Sequence, residues 1–420
     1  MEAAQRGAVV AAVTGYYTFG FGSTQIEKKF DDVLAGRTPQ QQLEAAGDLF
    51  SRPDTSGTVH LTLRNDLQAL AKKALMGREG SAVVVDPRTG AVLAMYSNPT
   101  FDPNKVATHN AGAANDHLQT LLADDRKPLL ANAYQERYMP GSTFKIVTTT
   151  VAWETGAMNA TSTYPDERAW VPPNTNKPIR NYGKKVCGGD LAEVFRRSCN
   201  IPFAQTAVTI GPSLFVAGVN TFGFDEAIPF DLPGAANSTF GGTAADFADS
   251  LALLAIHGFG QGQVQVVPLH MALIASAVAN NGVMMQPYVV ESTRTNAGTV
   301  MMHTEPRAWK TPMSAATAAK VRELMIGVVE NGTATCCMKL ANGVVAAAKT
   351  GTAQLNPEGK KQRSHAWITA FAPAGAGETP RVAVAVMLKG VNDEISSGTG
   401  GRLAGPVAKT LLDRALTVVP

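Results

Sequence analysis

The chain has 420 residues, 45% of them hydrophobic and 17% charged, with a formal net charge of +3. That length suits one large domain plus a smaller one, and the composition argues against a disordered, collagenous or coiled-coil chain. The basic excess is small and no Lys/Arg cluster is interleaved with aromatic residues, which argues against a nucleic-acid partner.

Residues 1–56 stand apart from the rest. They carry the aromatic-glycine stretch Tyr16-Tyr17-Thr18-Phe19-Gly20-Phe21-Gly22, a Gln/Ala-rich helical segment and the turn signals Ser51-Arg52-Pro53-Asp54, and are read as a small N-terminal module. The longest apolar run near the start, Ala8 to Val13, falls short of the roughly 18 residues that a membrane span needs. Composition leaves two readings open, a soluble chain or the extracytoplasmic part of an anchored protein. A strand, Val59-His60-Leu61-Thr62-Leu63, leads into a helix that Asn65 or Asp66 can cap, with Leu67, Leu70, Ala71, Ala74 and Leu75 on one face. Ala82–Val85 and Ala91–Met95 flank the turn Asp86-Pro87-Arg88-Thr89-Gly90 as a hairpin.

From about Asn132 to Asn281 the pattern is mainly helical, with helices predicted at Lys145–Ala157, Leu191–Arg197, Ala245–Ile256 and Leu269–Ala279. Strands return at Val344–Ala353, Ala366–Ala372 and Val382–Lys389, and a last helix, Pro406–Leu416, follows a break at Gly400-Gly401. Strands at both ends with helices between them predict an α+β domain over residues 57–420, its two ends sharing one antiparallel sheet. The cysteines are Cys187, Cys199, Cys336 and Cys337, without a C-x-x-C or paired-histidine spacing, so no metal site is expected. The neighbours Cys336 and Cys337 are not expected to bond each other, because a normal disulfide needs α-carbons about 4.4–6.8 Å apart. In an oxidising compartment the expected bridge is Cys187 with Cys199.

Three motifs carry chemistry, each occurring once: Ser142-Thr143-Phe144-Lys145, Ser198-Cys199-Asn200 and Lys349-Thr350-Gly351-Thr352. Residues three apart share a helix face, so Lys145 lies over Ser142 and can take its proton if desolvation lowers the amine's pKa. Pro140-Gly141 is a helix-start signal, with Gly141 allowing close backbone approach to a substrate. Asn200 precedes Ile201-Pro202, where helix is disfavoured, so its side chain should project freely. On a strand, Lys349 and Gly351 face one side and Thr350 and Thr352 the other, with hydroxyls suited to a carboxylate. Gly351 would let a ligand backbone approach. Alone, each motif reads as an ordinary helix pair, helix end or strand end. Jointly, with spacings of 56 and 151 residues, they exceed what local structure explains.

This trio is the motif set of penicillin-binding proteins and class A β-lactamases. The resemblance extends to DPRTGAVLAMYSNPTFDPN within Glu79–Asn104, to YMPGSTFK at Tyr138–Lys145, GQGQVQVVPLHMA at Gly260–Ala272, ENGTA at Glu330–Ala334 and HAWITAFAP at His365–Pro373. Over roughly residues 57–420 the chain resembles the monofunctional class B penicillin-binding proteins. The closest likeness is to the actinobacterial penicillin-binding protein A type, which also carries an NYG…C segment before an SCN triplet.

The resemblance implies the serine β-lactamase/penicillin-binding transpeptidase fold, an antiparallel sheet flanked by helices with an all-helical subdomain. It implies D,D-transpeptidation of peptidoglycan stem peptides without a cofactor. Ser142 would be the nucleophile, Lys145 its base, Ser198 a proton relay held by Lys145 and Lys349, and the Ser142 and Thr352 N–H groups the oxyanion hole. Asn200, Thr350, Gly351 and Thr352 would bind substrate, with the two threonines on the terminal carboxylate. β-Lactams would trap Ser142, a glycosyltransferase or divisome protein would be a partner, and an N-terminal anchor missing from this chain would hold it at the outer membrane face. A β-lactamase needs a deacylating base; Cys199 occupies the middle of the second motif and no Glu-x-x-x-Asn lies between Ser198 and Lys349. A D-Ala carboxypeptidase has identical motifs, and an inactive β-lactam receptor or scaffold would normally have lost catalytic residues.

Overall fold

Apolar strands from distant parts of the chain form the central sheet of the computed structural model, which describes residues 2–18, 20–46, 54–356 and 360–420. Phe19 and the turn residues Ser51, Arg52 and Pro53 lie outside the described residues. Strands β1 (Gly80–Val85) and β2 (Val92–Asn98) come from the early hairpin. Strands β3 (Ala347–Gln354), β4 (Ser364–Ala372) and β5 (Val382–Leu388) come from the C-terminal part. Their order is β3-β4-β5-β1-β2, antiparallel throughout. The two ends of the domain meet where Ala385 opposes Val83. β1, β4 and β5 are buried along their whole length, as strands covered on both faces must be.

Around the sheet lie α1 (Asn65–Leu75), α2 (Lys145–Glu154), α3 (Leu191–Arg196), α4 (Ile201–Ile210), α5 (Pro268–Ala279), α6 (Ala315–Asn331) and α7 (Gly405–Val418). α1 and α7 pack together on the sheet, while α5 and α6 pack on it with α2 behind them. Every residue of α5 is buried, which suits a helix that is apolar on all sides. α1 buries Leu67, Ala71 and Leu75 at helical spacing. Asn65 and Asp66 do not cap it; Asp66 is drawn instead into an ion pair with Arg414 of α7 at 2.7 Å. The helical side of the domain closes on an aromatic cluster in which Phe144 stacks on Phe240 at 5.9 Å and meets Phe224 edge-on at 5.6 Å.

Several expectations change. The predicted helix Ala245–Ile256 is two, Ala244–Asp249 and Leu251–His257, because Ser250 leaves helical geometry and its hydroxyl accepts from the Leu253 N–H. The middle section also holds two small sheets, pairing Thr163–Glu167 with Cys187–Asp190 and Ala169–Trp170 with Ile179–Arg180. Gly400-Gly401 is no break but part of the helical turn Gly400–Leu403. A Cβ on Gly400 would lie 2.0 Å from the Trp367 carbonyl, so glycine lets this turn press against the sheet. The strand Thr58–Leu61 joins Val290–Arg294 and Val300–His303 in a separate sheet. The N-terminal helix Glu2–Thr14 docks on the large domain, where the Gln68 and Thr100 side chains donate to the Val9 and Ala8 carbonyls at 3.0 Å each.

Cys187 is bonded to Cys199. Contrary to expectation, Cys336 and Cys337 are also bonded, with α-carbons 3.7 Å apart. They sit in the turn after α6, where the Cys337 and Met338 N–H groups both donate to the Ala334 carbonyl and fold the backbone tightly.

Candidate active site

Ser142 sits in a turn of 3₁₀-helix, Gly141–Phe144, that runs directly into α2. Side chains three apart eclipse in such a turn, and Lys145 Nζ lies 2.9 Å from Ser142 Oγ. The turn is clamped from several directions. The Gly141 N–H donates to the Gly260 carbonyl at 2.9 Å, Thr143 Oγ1 to the Pro140 carbonyl at 2.9 Å, and Trp367 Nε1 to the Met139 carbonyl at 3.0 Å. Gly141 has φ +54°, and a Cβ there would stand 3.0 Å from the Thr352 backbone. Its bareness seats the turn against β3 and does not make room for a ligand. The same correction applies to Gly351, whose Cβ would meet the Pro140 carbonyl at 2.8 Å and Trp367 at 3.1 Å.

The Ser198 loop is held by a helix-ending motif. The Cys199 N–H donates to the Val194 carbonyl and the Ser198 N–H to the Phe195 carbonyl, the paired bonds of a Schellman cap. Ser198 occupies the left-handed position, φ +61°, where glycine is usual. Three anchors hold it there: the Cys199–Cys187 bond, Pro202 at the start of α4, and buried Asn181. Asn181 Oδ1 accepts from the Asn200 N–H at 2.8 Å and the Ile201 N–H at 3.2 Å, and its Nδ2 donates to the Glu167 and Lys185 carbonyls. Asn200 does not project freely. Its Oδ1 accepts from Lys145 Nζ at 2.9 Å and its Nδ2 donates to the Arg180 carbonyl at 3.1 Å.

The strand β3 forms the opposite wall as the edge strand of the sheet, with Lys349 opposite Thr369 and Gly351 opposite Trp367. Lys349 Nζ donates to Ser198 Oγ at 2.7 Å and to the Thr350 carbonyl at 3.1 Å. Lys145 Nζ lies 3.4 Å from Ser198 Oγ and donates to the Ser198 carbonyl at 2.9 Å. Both amines are fully buried, against the rings of Phe203 and Phe195. Burial, with the neighbouring Lys349 cation as a second cause, holds Lys145 well below the ordinary lysine range. Burial pushes Lys349 down to about 7.

Ser142, Ser198, Asn200, Thr350 and Thr352 line one cavity of about 300 Å³, with the two lysines beneath them. Gly351 lies outside the lining. A second cavity, of about 430 Å³, shares Asn200, Gln261 and Gln354 with the first. The Gln261 carboxamide, with its oxygen toward the Gln354 N–H, pairs with both backbone groups of Gln354 at 3.1 Å. Asn181, Gln261 and Thr333 stand in the NYG, GQGQVQVVPLHMA and ENGTA segments that carry the resemblance, which by itself assigns these side chains no role.

Comparison with known proteins identifies the family. Residues 80–413 match the family described as the penicillin binding protein transpeptidase domain, and residues 4–59 match the penicillin binding protein A dimerisation domain. Among relatives, the peptidoglycan D,D-transpeptidase PbpA of Mycolicibacterium smegmatis is 35% identical, the match covering 97% of this chain and 82% of the relative. PbpA of Mycobacterium tuberculosis is 34% identical over 98% of this chain and 83% of its own length. The penicillin G acyl-enzyme complex of penicillin-binding protein A from M. tuberculosis superposes with a TM-score of 0.88 at 33% identity, covering 98% of this chain and 92% of that one. This chain therefore belongs to the class B penicillin-binding protein transpeptidases, peptidoglycan D,D-transpeptidases that transfer an acyl group through a serine ester.

Proposed function

We propose that Ser142 is the nucleophile of this transpeptidase and Lys145 its general base. The observation that carries this reading is the environment of the Lys145 amine. Once neutral, it has two N–H bonds and one lone pair. The Ser198 carbonyl and Asn200 Oδ1, each at 2.9 Å, take the two hydrogens, which leaves the lone pair for the Ser142 hydroxyl, also at 2.9 Å. Ser142 Oγ attacks the penultimate D-Ala carbonyl of a stem peptide as its proton passes to Lys145. The N–H groups of Ser142 and Thr352 hold the oxyanion, an interaction worth about 10²–10³ in rate per donor. Ser198, hydrogen-bonded to Lys349, hands its proton to the departing amine of the terminal D-Ala and takes back from Lys145, 3.4 Å away, the proton that came from Ser142. Thr350 and Thr352 bind its carboxylate. Asn200 orients Lys145 and offers its remaining N–H to a substrate amide, while Gly351 serves by keeping β3 against the serine turn. The amine of a neighbouring stem peptide then resolves the ester and forms the cross-link.

The setting belongs to the same proposal: the outer face of the membrane, behind an N-terminal anchor and beside a glycosyltransferase or divisome partner. The Cys187–Cys199 bond supports an oxidising compartment. Intact-protein mass spectrometry after penicillin exposure tests the nucleophile. One penicilloyl adduct is expected on the native chain and none on Ser142→Ala; an adduct surviving that change would refute the assignment.

A further inference from the structure

The cavity that Ser142 lines contains a hydroxyl that the motif chemistry does not use. Thr333 lines the same cavity, and its Oγ1 lies 2.6 Å from Thr350 Oγ1. The loop carrying it is fastened to the rest of the site. The Thr333 N–H donates to the Arg196 carbonyl at 3.2 Å, at the end of the helix leading to Ser198, and Arg196 in turn donates to the Asn331 carbonyl at 2.8 Å. On its far side, a Cβ added to Gly401 would lie 2.3 Å from the Thr333 carbonyl and 3.4 Å from Thr350 Cγ2, so only glycine fits between this loop and the next.

A hydroxyl has one proton to donate and two lone pairs to accept with. If Thr350 donated to Thr333, it would have no proton left for an anion in the cavity. If Thr333 donates to Thr350, the Thr350 proton is free to point at the anion, and the chain Thr333→Thr350→carboxylate strengthens along its length. An anion in the cavity selects the second arrangement. We propose that Thr333 is a positioning residue for the anionic end of the donor, which orients and polarises the Thr350 hydroxyl toward the carboxylate of the terminal D-Ala or of a β-lactam. This rests on the assignment of Thr350 and Thr352 to that carboxylate.

Penicillin G and its methyl ester, which lacks the negative charge, separate this role from packing. Thr333→Val keeps the shape and removes the hydroxyl. It is expected to lower the second-order rate constant of Ser142 acylation by penicillin G about tenfold, from loss of a hydrogen bond coupled to a charged group. Acylation by the ester should stay within about twofold, since no charge is being recognised there. Thr333→Ser should restore the native ratio of the two rates. An equal loss with both probes, or an unchanged ratio, would overturn the proposal. Should Thr333→Val fail to fold by circular dichroism, Thr333→Ala carries the same expected ratio. Native protein that acylates with acid and ester equally would sink the Thr350 and Thr352 assignment itself, and the role of Thr333 with it. A native preference for the acid that survives loss of the Thr333 hydroxyl overturns the Thr333 proposal alone.

Discussion

The turn carrying Ser142 and the loop carrying Ser198 face each other across one cavity, yet they are built in opposite ways. In the first, the proposed nucleophile and base are three residues apart, and the 3₁₀ turn itself brings them to 2.9 Å. In the second, the backbone takes a conformation that its own serine disfavours, φ +61°, held by a disulfide, a proline and Asn181 from elsewhere. One half of the site is therefore a local structure that packing refines. The other is a strained structure that packing imposes, as functional sites often are.

This contrast can be broken at several points. Lys145→Met should have the largest effect, lowering acylation by about 10²–10⁴ because the proposed general base is lost. Stopped-flow measurement with a fluorescent penicillin would read it, and a loss under tenfold would point to another base. Removing the 12-residue link by Cys187→Ala with Cys199→Ala should cost about 3 kcal/mol of stability through freedom regained by the unfolded chain. It should slow acylation through the Ser198 loop. If the denaturation midpoint is unmoved, the bridge is not what holds that loop.

Gly141→Ala should cost about 10² in acylation. The new methyl forces the serine turn off β3, and displacements near 1 Å at a reacting centre have effects of that size. The local half of the site is thus also vulnerable, though only where it touches the strand.

The pH profile of acylation should be bell-shaped. As the proposed base, Lys145 would be inactive while protonated, so the rate should rise with pH through its lowered pKa. Lys349 gives up its proton above about 7, and the rate should then fall as the charge near Ser198 is lost. Each limb approaches about tenfold per pH unit. A profile without a falling limb would show that the Lys349 charge is dispensable. The smallest effect sharpens the contrast most. Ser198→Gly should leave the protein about 1 kcal/mol more stable than Ser198→Ala, because both lose the hydroxyl bonded to Lys349 but only glycine escapes the left-handed penalty, and both should slow acylation. Equal melting temperatures for the two variants would mean that the loop carries no strain.

The same division governs what could be read in advance. Ser142 over Lys145, the alternation of Lys349 and Thr350, and the two-ended sheet all follow from spacing and periodicity. The Cys336–Cys337 bond, the split at Ser250, the engagement of Asn200 and the true work of Gly141 and Gly351 did not. The engagement of Asn200 and the work of Gly141 and Gly351 depend on neighbours remote in sequence, such as β3 for Gly141 or Arg180 for Asn200. The Cys336–Cys337 bond and the Ser250 split are local backbone geometry that helix and strand periods do not record.

By itself, then, the order of the motifs carried the resemblance that named the family and suggested the reacting groups, and spacing paired Ser142 with Lys145. Only that pairing and the strand alternation rest on helix and strand periods, which act over a few residues. Only the tertiary structure decided the left-handed Ser198 and the lowered pKa values of two buried lysines, and it alone brought Thr333 and Thr350 together. Desolvation and imposed strain arise only when remote segments close around a group, and no local pattern records which segments those will be.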